Sequence, residues 1–178
     1  MANATKNAQR TARRSGGFTL VEVLVSLVVL SIGLLGTAKL MLFSSRSNDS
    51  AYLRSQATEL AYEILDNMRA NRQQAIAGSY VTPLTAAATS PGFTCIGAVA
   101  CTPSNLALYD IYQWKLRLNA TSGLLPAGAL PTGQGSVVTA LVGTQTTVAI
   151  TVQWDDTVAQ STFGAAATSQ SITLETIL

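Results

Sequence analysis

Histidine is missing from all 178 residues, and only two cysteines are present. Without an imidazole the usual general base at neutral pH is gone, no base stands ready to activate a cysteine, and a zinc site lacks a third Cys or a His. The chain also has no phosphate-cradling Gly loop and no spaced set of metal ligands, so enzyme chemistry has nothing to run on and no cofactor or metal is implied. Charge is scarce too, at 11% of residues against 48% hydrophobic. That is less than half the roughly 25% of an ordinary soluble domain, and it fits insertion into a membrane followed by packing into a larger assembly. Proline is absent before Pro83, which leaves a long stretch free of helix breakers.

What fills that stretch is an apolar run behind a basic leader. Lys6, Arg10, Arg13 and Arg14 precede it with no acid among them, and Gly16-Gly17 opens GGFTLVEVLVSLVVLSIGLL. From Phe18 to Phe43 the ionisable residues are Glu22 and Lys39. About 26 residues at 1.5 Å rise give roughly 39 Å, enough to cross a ~30 Å hydrocarbon layer. The basic flank keeps the leader on the cytoplasmic side and sends the rest outward. Glu22 sits one turn inside the apolar run, where an ionised carboxylate costs a few kcal/mol unless it snorkels to an interface or meets a partner.

An ordinary secretory signal is cleaved after its apolar region, and no small-residue site closes this run before Lys39. The distinctive junction lies in front instead: Gly17-Phe18-Thr19-Leu20-Val21-Glu22. That pattern resembles the prepilin signal of the type IV pilin superfamily. The resemblance implies cleavage between Gly17 and Phe18 by a prepilin peptidase, N-methylation of the new Phe18 amine, and pairing of Glu22 with the N-terminal amine of a neighbouring subunit during filament assembly. Two opposite charges in a low dielectric attract strongly once docking lets them meet, so the pair would act as a register device. Removal of the leader takes four of the eleven basic residues and leaves seven against nine acids, a formal charge of −2. No electrostatic case for nucleic-acid binding survives, and a DNA-uptake receptor would need a basic patch that this composition does not suggest.

Gly33 and Gly36 are three apart and miss the four-residue spacing of close helix dimers; they are tolerated glycines or points of local loosening. Beyond Phe43 the chain turns polar and then resumes a 3–4 periodicity at Leu53, Ala57, Leu60, Ala61, Ile64, Leu65 and Met68. With no proline up to Ile76 and Gly78 placed as a C-terminal cap, the pattern predicts one helix of roughly 60 residues, its second half amphipathic. Glu59, Tyr62, Glu63 and Asp66 read as a solvated or subunit-facing stripe.

From Gly78 to Asn105, with Pro83, Pro91 and Pro103, the composition predicts a long loop. It carries Cys95 and Cys101, which in a head outside the membrane argue for one disulfide worth about 2 kcal/mol. Residues 110–118 alternate like a strand, while Asp110 with Gln113 resembles a helix capping box. Asp110, Trp114, Leu125-Pro126-Ala127-Gly128 and Val152-Gln153-Trp154-Asp155-Asp156 are together similar to the minor pilins of the PilV group (type IV pilus modification protein). Leu130-Pro131-Thr132-Gly133 repeats the turn. That similarity implies a short helix at 110–119. Val137–Val142, a Gly143-Thr144 turn, Thr146–Trp154 and Ser171–Leu178 predict an antiparallel sheet of three or four strands. Asp155 and Asp156 read as turn acids more readily than as cation ligands.

The expected architecture is α+β and type IV pilin-like: a leader (1–17), the membrane-spanning half (18–43) and amphipathic half (44–77) of one long helix, and a head (78–178) with a disulfide loop and antiparallel sheet. The resemblance implies a minor pilin at or near the tip of a type IV pilus, supporting pilus assembly, twitching motility and adhesion. Its expected partners are other minor pilins, the major pilin, the prepilin peptidase and a large tip adhesin. Before assembly it would be a single-pass inner-membrane protein with a periplasmic head, and afterwards part of the fimbrium. A minor pseudopilin of type II secretion carries a nearly identical signal and is the alternative.

Overall fold

A computed structural model describes residues 17–96, 101–119, 130–156 and 169–178. The leader up to residue 16, the Leu125-Pro126-Ala127-Gly128 turn and the stretch 157–168 lie outside the described residues. The elements are α1 (Leu20–Ala70), α2 (Arg72–Ile76), α3 (Pro103–Leu118), β1 (Gln134–Val142), β2 (Gln145–Asp155) and β3 (Ser169–Ile177). The chain divides into two units, Met1–Phe43 and Ser44–Leu178.

In the second unit the 3–4 spacing does what amphipathic spacing dictates. Ala57, Leu60, Ala61, Ile64, Leu65 and Met68 are buried on one stripe of α1, with Leu53 packed against them. The helix is shorter than the expected 60 residues: α1 has 51 and stops at Ala70. Asn71 (φ −117, ψ 47) separates it from α2. The Asn71 Nδ2 amide donates to Pro103 O at 2.7 Å and to Tyr80 Oη at 3.3 Å, partners that hold its side chain on the neighbouring loop and helix. Gly78, at φ +82, then ends α2 as a helix-terminating glycine. Ser79 N–H donates to Gln74 O (2.9 Å) and Gly78 N–H to Ala75 O (3.2 Å), closing two carbonyls that the helix end leaves open.

α3 begins at Pro103, well before the expected Asp110, so the long loop ends sooner than its composition suggested. The reason is local: Thr102 Oγ1 accepts the Asn105 N–H at 3.3 Å, and Pro103 takes the first helical position, where a missing N–H is no loss. Asp110 is therefore an interior residue of the helix, not its cap. Ala107, Trp114, Lys115 and Leu118 are buried on α3, and the Trp114 indole donates to Leu60 O of α1 at 2.8 Å.

The sheet has the order β1-β2-β3 with both pairs antiparallel. Val137 pairs with Ile150 and Ile150 with Leu174, which fixes the register. Alternation puts Val148, Ile150, Val152 and Trp154 into the same core as the α1 stripe. Gly135 permits the close approach of α3 to β1: a Cβ there would lie 2.4 Å from Trp114 Cη2 and 2.6 Å from Leu118 Cδ1. Strands β1 and β3 start earlier than expected, at Gln134 and Ser169, because small and polar residues at those ends carry no apolar alternation. The outer edge of β1 is bridged by Thr82, whose N–H and C=O both bond Val137 at 3.0 Å.

Candidate functional site

Every residue from Gly17 to Phe43 is exposed in the isolated chain. Gly17, Phe18 and Thr19 precede the helix without regular structure, and α1 starts at Leu20. Thr19 Oγ1 accepts the Glu22 N–H at 3.2 Å, and Thr19 O accepts the Val23 N–H at 3.3 Å. Thr19 is thus the N-cap, and Glu22 stands at the third helical position, where the unpaired N–H groups favour an anion. Thr19 carried no expectation from the sequence, although its T-x-x-E spacing with Glu22 is the signal that marks it.

Farther along the same segment, the hydroxyls close on their own helix. Ser26 donates to Glu22 O (2.7 Å), Ser31 to Leu27 O (2.6 Å) and Thr37 to Leu34 O (2.9 Å). These bonds satisfy polar groups that an apolar surrounding would leave without water. By length and composition α1 can cross a membrane. A Cβ at Gly33 or Gly36 would meet nothing within 4 Å among the described residues. Such an exposed apolar helix requires cover, from lipid or from the helices of other subunits.

The head holds two polar centres whose partners sequence patterns did not reveal. Tyr80, fully buried, donates to Asp110 Oδ2 at 2.6 Å. Burial pushes the Asp110 carboxyl up, the Tyr80 bond opposes that and the nearby Glu63 charge adds to it. Burial and the Asp110 bond together push the Tyr80 hydroxyl up as well. With Asn71, this network ties the end of α1 to the loop and to α3. The second centre is Lys115, which is 5% exposed. Its ammonium donates to Pro83 O at 2.9 Å, Leu84 O at 3.4 Å and Gly135 O, so three carbonyls from two segments replace its water shell. Burial lowers this amine to about 8. A lysine on the apolar stripe of Ala107, Trp114 and Leu118 was the available signal.

Cys95 and Cys101 are joined in a disulfide, with Cα atoms 5.6 Å apart. Cys101 directly precedes the Thr102 cap, so the bond ties the loop to the start of α3. On the acidic stripe of α1, Glu63 pairs with Arg117 and Asp66 with Arg69 (3.5 Å), while Glu59 and Tyr62 are exposed. Asp156 is buried and accepts from Ser50 Oγ at 2.5 Å, which makes it a packing acid instead of an open turn residue. Among the described residues no group of three or more His, Cys, Asp and Glu is placed to hold a metal.

Residues 12–38 match the family model described as the prokaryotic N-terminal methylation motif. Residues 41–112 match the model described as Tt1218-like, type IV pilin Tt1218. No curated protein matches the chain, and no solved structure does.

Proposed function

The chain belongs to the type IV pilin superfamily and carries its prepilin signal, and we propose that it works there as a minor pilin. Pilins are structural subunits, so other pilins and the prepilin peptidase are its partners and its helix anchors it in a membrane before the filament takes it up. On this reading the leader is cut between Gly17 and Phe18, the Phe18 amine is methylated, and Glu22 meets the amine of an adjacent subunit. The leader faces the cytoplasm and the head the periplasm. After assembly the subunit stands at or near the pilus tip with other minor pilins and a large adhesin, supporting twitching motility and adhesion.

The observation that carries the proposal is the Gly17-Phe18-…-Glu22 junction opening an exposed, membrane-length apolar helix. The similarity of Asp110, Trp114 and Val152-Gln153-Trp154-Asp155-Asp156 to the minor pilins of the PilV group is what favours that group in this reading. Deletion of the gene, with surface pili, twitching and type II secretion scored together, tests it. Lost or altered pili with intact secretion is the expected result; intact pili with lost secretion would assign the chain to a pseudopilus.

A further inference from the structure

The start of α1 is decided by one side chain. A helix that enters an apolar layer gains by starting early, because the unbonded N–H groups of its first turn are costly where water is scarce. If α1 ran back through Phe18, Phe18 O would accept the Glu22 N–H and Gly17 O the Val21 N–H. The structure gives the Glu22 N–H to Thr19 Oγ1 at 3.2 Å instead, and the first carbonyl to take a helical bond is that of Thr19, from the Val23 N–H at 3.3 Å. Neither Gly17 O nor Phe18 O accepts a hydrogen bond among the described residues. The Thr19 hydroxyl and backward growth of the helix therefore compete for one donor, and the hydroxyl holds it.

That competition bears on the peptide bond just upstream. Cutting Gly17–Phe18 adds the oxygen of water to the Gly17 carbonyl carbon, breaks the C–N bond and passes both water hydrogens to the Phe18 nitrogen, which leaves a Gly17 carboxylate and a Phe18 ammonium. A peptidase must polarise the Gly17 oxygen and bring water to the carbon it is bonded to. Within a helix that oxygen is already bonded to the Val21 N–H, and the following turn crowds the carbon. Independently of this geometry, the match of residues 12–38 to the N-terminal methylation motif covers the junction. We infer that Thr19 is a positioning residue for the cut: its hydroxyl starts α1 at Leu20 and so keeps the Gly17–Phe18 bond in non-helical backbone, where a peptidase can engage it. The inference rests on the prepilin reading and adds to it the residue that sets the conformation of the scissile bond.

The test measures cleavage of the full-length precursor in detergent by its prepilin peptidase, for the wild type and for Thr19→Ser, Thr19→Asn, Thr19→Gly, Thr19→Val and Thr19→Ala. Capping strength places Asn and Ser first, Thr and Gly next, and Ala and Val far below, an order that side-chain shape does not follow, since Val nearly matches Thr and Gly keeps nothing of it. Expected are Ser, Asn and Gly variants within about twofold of wild type, and Val and Ala variants roughly fivefold lower in kcat/KM with kcat unchanged, because a smaller fraction of the precursor offers the bond outside the helix. Carbon-13 shifts of the uncut precursor in micelles should read Phe18 as non-helical in the wild type and partly helical in Thr19→Val. A Val variant cut as fast as wild type, a Gly variant as slow as Ala, equal rates throughout, or a helical Phe18 in the wild type would each overturn the inference. A wild-type precursor left uncut at Gly17–Phe18 would overturn the prepilin reading itself, so the two failures are told apart.

Discussion

A lysine that folding has dehydrated makes a measurable demand on pH. The Lys115 amine titrates near 10.5 when free and at about 8 in the fold, where burial disfavours the ammonium. Between those values the unfolded chain still holds a proton that the native chain has released, so this group makes stability rise with pH from about 8 to 10.5. Urea unfolding of the wild type across that range should show the rise, and Lys115→Met should flatten it. The same variant takes the ammonium away from the carbonyls of Leu84 and Gly135, while Pro83 O keeps the Ala86 N–H at 3.2 Å, so at pH 7 it should lose about 1–3 kcal/mol. Glu22 makes a different demand. Glu22→Ala removes a charge from the apolar run and leaves the Gly17-Phe18 bond unchanged, so insertion and processing should proceed. Docking should fail, because the amine of the adjacent subunit would enter low dielectric without its carboxylate, at a cost of roughly 3–5 kcal/mol for a broken buried pair. Immunoblots should show normal processed chain in membranes and at least a roughly tenfold deficit in sheared pili. Equal incorporation would remove the charge pair from the account.

At the level of the element, α3 depends on its first turn. Thr102→Ala removes the acceptor for the Asn105 N–H and should cost about 1 kcal/mol, while Thr102→Ser should cost little; thermal melts of the purified protein would rank the three. The same helix shows where sequence reading stops. Pro103 looked like a breaker because proline ends helices from inside, yet at the first position it starts one, and only the Thr before it separates the two cases. Asp110 and Gln113 had the spacing of a cap, but that spacing recurs in any helix interior, and the Tyr80 partner of Asp110 lies 30 residues away. By contrast the α1 stripe and the β2 alternation were legible because one repeated period decides burial for a whole face. The break at Asn71 was not, since it turns on contacts with Tyr80 and Pro103 that no local pattern encodes.

For the whole molecule, the division of labour follows the two units. One carries the prepilin junction and an exposed apolar helix; the other carries the head's core, built from α1's buried stripe, α3 and the sheet. The junction was legible in the sequence because cleavage motif, basic leader and apolar run coincide at one place. The Lys115 and Asp110 centres were not, because their partners come from distant segments. The account stands on maturation at that junction, and intact-mass analysis of the chain from sheared filaments tests it most directly. It predicts a polypeptide beginning at Phe18 with one methyl group on its amine and the mass of two hydrogens missing at Cys95–Cys101. A retained leader, or an N-terminus at any other residue, would contradict it.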